Sequence, residues 1–292
     1  MIAHHTDPNT VRAWVNEQRL GWRDRSLSLG MRAADQLHPS VTLHYVPPQV
    51  RGNPLLLLGG MGPMAGLDGF DLALSLDPWR EIVLHQACNI PCRTYAIQIE
   101  ARGDGRAAET VVTLLHAEID YLVSQVKARA ANLIVLCNTV HHFLPRLLQH
   151  LPPEISFHPL PSAAMTAASR LAPRRLMLLT TEGTRFSGFY SRAAEKAKLN
   201  WCEPNEEERY LLQHAIFKGI KGYGSDSLLM NGDNLIECLA HRNEPVDALL
   251  AGCTEIPLLF AALREQGNAY TRAYLNQITV IDPVFETLNA LC

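Results

Sequence analysis

Pro54-Leu55-Leu56-Leu57-Leu58-Gly59-Gly60-Met61-Gly62-Pro63 is the stretch that decides the fold, because four consecutive leucines run straight into a glycine loop. A strand wetted on one face alternates apolar and polar residues, whereas one covered on both faces reads as a continuous apolar run. This run is therefore a buried strand, and the glycines let the chain turn at its end. Working outward, Thr94–Ile99, Leu133–Leu136, Leu176–Leu179 and Ala248–Ala251 read as further strands, with helical stretches such as Ala107–Arg129 between them. Strands alternating with helices predict an α/β architecture of short, mostly parallel sheets flanked by helices.

The two halves of the chain echo each other. Leu55–Leu58 leads to Gly62 and Leu176–Leu179 leads to Gly183; Cys137 follows the first glycine by 75 residues and Cys253 the second by 70. Both cysteines close an apolar strand just before a helix-forming segment. The expected organisation is two pseudo-symmetric lobes with the active site in the cleft between them: residues 54–160 plus 283–292 in the first, 161–282 in the second. Before Pro54, residues from about Pro8 to Leu37 mix Val11, Trp14, Leu20, Trp22, Leu27 and Met31 with many charges, as amphipathic helices do. Residues 1–53 are thus read as a helical N-terminal extension, either packed on the outside of the core or serving as a lid or partner-binding arm.

Composition excludes several classes. With 26 Lys and Arg against 29 Asp and Glu there is no basic excess to displace counterions, so a nucleic-acid partner is not expected. No signal-peptide pattern opens the chain and no apolar run is long enough to span a bilayer, so a cytoplasmic protein without membrane partners is expected. Seven cysteines in 292 residues are not the dense framework of a small secreted domain and read as reduced thiols. Cys88 and Cys92 lack a second Cys/His pair at zinc-ribbon spacing, so no metal site is expected.

Open α/β sheets bind ligands beyond the carboxyl ends of their strands, which is where Cys137 and Cys253 stand. A lone cysteine closing an apolar strand is ordinarily a small buried residue, but two in matched settings point to a shared site. Backbone N–H groups at the following helix starts would stabilise a thiolate and lower each pKa. Asn138, Thr139 and Thr254 are adjacent hydrogen-bond donors. His141 would orient Cys137 or cap its helix, and Glu255 would tune the second thiol or bond the backbone. Met61 and Gly62 of the first glycine loop and Thr184 of the second turn complete the candidate binding residues. The first loop lacks the Gly-Lys-Ser/Thr ending of a phosphate-binding loop and suits a carboxylate better.

Together, Gly59-Gly60-Met61-Gly62-Pro63, Ile90-Pro91-Cys92-Arg93-Thr94, Cys137-Asn138-Thr139-Val140-His141, Gly183-Thr184-Arg185-Phe186-Ser187-Gly188-Phe189-Tyr190 and Gly252-Cys253-Thr254-Glu255 resemble the aspartate/glutamate racemase superfamily over about residues 54–292. The Gly-Cys-Thr-Glu segment is similar to the aspartate-racemase branch, whereas the glutamate branch usually shows Gly-Cys-Thr-His-Tyr-Pro. The resemblance implies a two-lobed α/β homodimer that racemises an acidic amino acid, aspartate first and glutamate next, with a cysteine pair and with neither pyridoxal phosphate nor metal. One thiolate would take the α-proton from one face while a thiol returns a proton to the other. In this pattern Arg93 and Arg185 are the candidates for gripping the substrate's two carboxylates, since a planar guanidinium binds a carboxylate bidentately.

Two residues depart from the family pattern. Gly66 stands where many relatives have Thr or Ser, and Cys92 where Asp or Asn is frequent. Loss of a hydroxyl at Gly66 would enlarge the pocket or remove a hydrogen bond. Other readings on the same scaffold are a degenerate relative that binds an acidic metabolite or a protein partner without turnover, and another cysteine-dependent isomerase or decarboxylase.

Overall fold

Ten strands run through the described part of the chain: β1 (Ile2–His5), β2 (Val41–Tyr45), β3 (Leu55–Gly59), β4 (Ile82–Gln86), β5 (Ala131–Val135), β6 (Ile155–Phe157), β7 (Leu176–Thr180), β8 (Trp201–Cys202), β9 (Ala248–Gly252) and β10 (Thr279–Ile281). They belong to a computed structural model that describes residues 2–29, 40–127 and 129–292. Contacts divide the chain into two units, Met1–Leu160 with Thr287–Cys292, and Pro161–Glu286. Residues 283–286, expected with the first lobe, fall in the second unit.

In the first unit the strands lie in the order β1-β2-β4-β3-β5-β6, and in the second β8-β7-β9-β10. Within β4-β3-β5-β6 and within β8-β7-β9-β10 every neighbouring pair is parallel. The two sets have the same connectivity: the second strand of each lies on one side of the first, the third and fourth on the other. The sequence echo is therefore a repeated topology. Every residue of β3, β4, β7 and β9 is buried, as in a sheet covered on both faces, and β3, β7 and β9 are accordingly dominated by apolar residues.

Helices cover the first sheet through α1 (Pro8–Leu29), α2 (Pro63–Leu76), α3 (Arg93–Glu100) and α4 (Arg106–Ser124). The face of α4 formed by Ala108, Val111, Val112, Leu115, Ile119 and Leu122 follows the helical period and packs into the core that contains β5. Thr94–Ile99, expected as a strand, lies in helix α3 instead. The place beside β3 belongs to β4, whose apolar run Ile82–Leu84 is cut short by His85 and Gln86. After β4 the chain turns at Cys88-Asn89, and α3 buries only Ala96 and Ile97 while Tyr95 stays exposed.

The first 53 residues are not a purely helical extension. They supply two strands as well as α1, with β1 parallel to β2 and β2 antiparallel to β4, so the free edge of β4 is paired rather than left to solvent. The expected helical span to Leu37 reaches residues outside the described ones. Val11, Val15 and Trp22 of α1 are buried, and Arg12 and Arg19 form ion pairs with Asp71 and Asp68 of α2 at 3.5 and 2.9 Å. Helix α1 thus packs on the outside of the core. No helix among the described residues is long and apolar enough to cross a membrane.

The β2–β4 seam carries a buried charge. Glu81 Oε1 lies 2.8 Å from His44 Nε2 and 2.8 Å from Arg129 Nη2. Burial alone would raise this carboxyl, but hydrogen bonds from His44 and Arg129 outweigh it and bring Glu81 down to about 2. Stability from this cluster is present above the unfolded carboxyl value of 4.5 and is lost as pH falls toward about 2. Glu81→Gln should cost about 3 kcal/mol in urea unfolding at neutral pH, the size seen when one partner of a buried pair is removed. The deficit relative to wild type should shrink steadily between pH 4.5 and 2; a pH-independent deficit would assign the loss to packing alone.

Candidate active site

The topology of each unit fixes where ligands can bind. Strand β3 is followed by β4 on one side and, after a crossover, by β5 on the other; β7 is related in the same way to β8 and β9. The crevice of such a sheet opens at the carboxyl ends of the two strands where the order switches. In the first unit these are β3 and β5, paired in parallel from Leu55↔Asn132 to Leu58↔Val135. The glycine loop at Gly59–Pro63 and Cys137 therefore emerge side by side. In the second they are β7 and β9, paired from Leu176↔Ala248 to Thr180↔Gly252, which places Thr184 and Cys253 at the same end.

At the first switch point Cys137 is buried and opens a 3₁₀ turn, Asn138–His142, in which Asn138 and Thr139 are buried too. His141 ties this turn down. Its Nδ1 lies 3.1 Å from the carbonyl oxygens of both Cys137 and Asn138, and its Nε2 accepts the Leu160 N–H at 3.1 Å. That pattern requires the neutral ring with its proton on Nδ1. Burial drives its pKa down to about 4 although both carbonyl contacts oppose the shift. His141 thus braces the main chain carrying the thiol and holds no exchangeable second proton near neutrality.

Arg93 starts α3 and reaches under the glycine loop. Its Nη2 donates to Met61 O at 2.7 Å and its Nη1 to Pro91 O at 3.0 Å and Ile90 O at 3.3 Å. Three of its five N–H groups are spent on main chain, and Nε, with no partner among the described residues, is one of those left. The guanidinium pins Met61 to the Ile90-Pro91 segment, a role that spacing alone did not suggest. Gly66 does not enlarge a pocket: a Cβ there would stand 2.2 Å from Gln86 Oε1, so the side chain of Gln86 already fills that volume.

At the second switch point Thr181 caps the helix Glu182–Ser187 and its hydroxyl lies 3.2 Å from that of Thr184. Gly183 sits in the first turn of this helix rather than in a loop; the left-handed turn falls at Gly188, with φ +64°. Arg185 is turned to its own helix. Its Nε and Nη2 donate to Glu182 at 3.2 and 2.8 Å, and its guanidinium lies over the Phe186 ring. With its fork already filled by a carboxylate, Arg185 is not placed as a substrate clamp.

The second thiol sits in an acid–base chain. Cys253 Sγ donates to Glu255 Oε2 at 2.9 Å, Thr254 Oγ1 lies 3.3 Å from the same oxygen, and Lys221 Nζ lies 3.3 Å from Glu255 Oε1. All four residues are largely buried. Burial first, and the Glu255 carboxylate second, push the Cys253 thiol well above its ordinary value, with Lys221 offsetting part of the rise. Burial and the Glu255 carboxylate two residues on together oppose the lowering expected from a helix start. Lys221 was invisible in the sequence, lying far from Cys253 along the chain. It closes a π-helical turn, Ala215–Ile220, through a Lys221 N–H to Ile216 O bond of 2.9 Å, the wider ring that often marks functional positions.

The structure thus brings Met61, Gly62 and Arg93 together with Cys137, Asn138 and Thr139 in one unit, and Thr184 with Cys253, Thr254 and Glu255 in the other. Among the described residues no group of three His, Cys, Asp or Glu side chains is disposed to hold a metal.

A thiol at the switch point of each of two like-built α/β units defines a class, and comparison with known proteins gives it a family. The model of the Asp/Glu/Hydantoin racemase family matches residues 58–291, and the chain belongs to that family. Among solved structures its fold is similar to Picrophilus torridus aspartate racemase, with 24% identity, 82% of this chain and 93% of that chain covered, and a TM-score of 0.63. An aspartate racemase homologue from Pyrococcus horikoshii OT3 follows at 16% identity, 82% and 97% coverage and TM-score 0.58. A glutamate racemase isoform from Bacillus anthracis matches at 19% identity, 82% and 80% coverage and TM-score 0.54.

The polarity of the Cys253 chain is open to measurement. Glu255→Gln should move the pH midpoint of Cys253 alkylation downward, since the charge that adds to burial in raising the thiol is gone. Lys221→Met should move it upward. Peptide-resolved mass spectrometry after iodoacetamide pulses across pH reads both, and coincident midpoints in all three proteins would remove Glu255 and Lys221 from control of the thiol.

Proposed function

We propose that this racemase-family protein interconverts the enantiomers of an acidic amino acid, aspartate ahead of glutamate, through Cys137 and Cys253. The observation that carries the reading is the repeated pairing of a turn-bearing strand with a cysteine-bearing strand, β3 with β5 and β7 with β9, which ends each parallel pair in one thiol. A racemase needs two groups of opposite protonation state, because one face of the α-carbon must lose a proton as the other gains one. Two like units supply two like groups, and the surroundings make them unequal.

Cys253, whose S–H donates to Glu255, starts as the acid, and Cys137 starts as the base. Removal of the α-proton leaves an enediolate, whose charge the buried donors Asn138, Thr139 and Thr254 are suited to receive. Return of the Cys253 proton to the opposite face completes one direction and leaves the thiols in exchanged states. The Glu255–Lys221 pair then helps Cys253 to recover its proton. Arg93 supports acidic-substrate binding by holding the Met61 carbonyl. Preference for aspartate rests on the Gly252-Cys253-Thr254-Glu255 sequence and on likeness to aspartate racemases.

Pure protein incubated in D2O with single L-amino acids, without added cofactor, should place deuterium at the α-carbon of aspartate or glutamate and generate the D-enantiomer. Cys137→Ser and Cys253→Ser should each lower racemisation at least about a hundredfold with unchanged circular dichroism. Wild-type protein that exchanges no α-proton in any proteinogenic amino acid would overturn the assignment in favour of binding without turnover.

A further inference from the structure

The loop after β3 is held by alternate carbonyl oxygens. Gly59 O accepts Ala87 N–H at 3.0 Å, Met61 O accepts Arg93 Nη2 at 2.7 Å and Pro63 O accepts Gln86 Nε2 at 2.9 Å. The third of these contacts comes from a residue with an unusual setting. Gln86 is the last residue of β4, pairs in register with Gly59 across the ladder, and is 2% exposed. Its carboxamide lies over two glycines: a Cβ would stand 2.5 Å from Oε1 at Gly59, and 2.2 Å from Oε1 and 2.8 Å from Nε2 at Gly66. Both positions are closed to any side chain while Gln86 keeps this pose. Gly60 is closed as well, with φ +92° and a Cβ that would meet Ala87 N at 2.4 Å.

Oε1 of Gln86 has no hydrogen-bond partner among the described residues. A buried acceptor left unpaired is a cost that an apolar chain of the same length would avoid. What the amide adds over such a chain is its donor end, aimed at Pro63 O. Pro63 has no N–H of its own to anchor the start of α2, so its carbonyl is the polar handle by which that end of the loop can be gripped.

The geometry points to Gln86 as the positioning residue of the Gly60–Pro63 loop, gripping it at Pro63 O while its carboxamide occupies the space that Gly59 and Gly66 leave. Gln86 acts on turnover through the loop, and the effect on substrate rests on the reading of that loop as a wall of the substrate site. Gln86, Gly59 and Gly66 form one fitted set: the amide needs both glycines, and the glycines are empty space without the amide.

Two measurements test this. Gln86→Met keeps the length and removes the donor; it should raise KM for the racemised substrate about tenfold with kcat changed less than about threefold, the loss one hydrogen bond supports. Its amide hydrogen exchange should quicken in the peptide covering residues 59–66 and nowhere else in the first unit. That exchange reading does not depend on activity, so it stands if the protein proves not to racemise amino acids. Gly66→Ala should lower thermal stability sharply in wild type but only slightly in a Gln86→Ala background, where the clashing amide is gone. Unchanged KM together with unchanged exchange in Gln86→Met, or an equal penalty for Gly66→Ala in both backgrounds, would overturn the proposal. Should Gln86→Met fail to fold, the glycine cycle with Gln86→Ala decides the matter alone.

Discussion

Everything in this molecule that bears on chemistry depends on the parallel pairing of a turn-bearing strand with a cysteine-bearing strand. A parallel pair cannot be joined by a hairpin, so the chain must cross over the sheet and return, and all the strand ends of one sense gather on one side. Where the order reverses, between β3 and β5 or between β7 and β9, the crossovers diverge and leave a crevice. Residues 75 apart, Gly62 and Cys137, are carried to the same end of the sheet in this way without any local signal linking them.

The two units share topology and differ in electrostatics. Around Cys137 the ring of His141 is held neutral by burial and spent on carbonyl oxygens. Around Cys253 a buried carboxylate and an ammonium continue the chain from the thiol. The proposed reaction calls for two groups of opposite protonation state, and these unlike surroundings are what that proposal draws on.

The N-terminal segment shows how the repeat is modified. The second unit ends on a two-residue edge strand, β8, too short to recruit another chain, whereas the corresponding edge of the first unit, β4, is five residues long and would be open. β2 closes it in the antiparallel sense, with Glu81, His44 and Arg129 stitching the seam. A segment that reads as an accessory in the sequence is thereby part of the sheet.

Local sequence determined a good deal. The continuous apolar runs of β3, β5, β7 and β9 mark strands buried on both faces, and the cysteines at the ends of two of them mark the candidate site, because burial and chain reversal are written in neighbouring residues. Strand β4 is less legible, since its run breaks after three apolar residues and its place is set by pairing with β3 and β2. Helix α3 is misread for the complementary reason: a six-residue stretch carries too few periods to separate helix from strand, and packing decides. The partners of the charged groups belong wholly to the tertiary structure. Nothing near Arg93 shows that carbonyl oxygens will take its guanidinium, nothing near Cys253 announces Lys221, and Gly66 reads as a missing side chain until Gln86 is seen to fill its place. Hydrophobic pattern is a property of a segment, but a hydrogen bond or an ion pair is a property of two segments, and only folding selects which two.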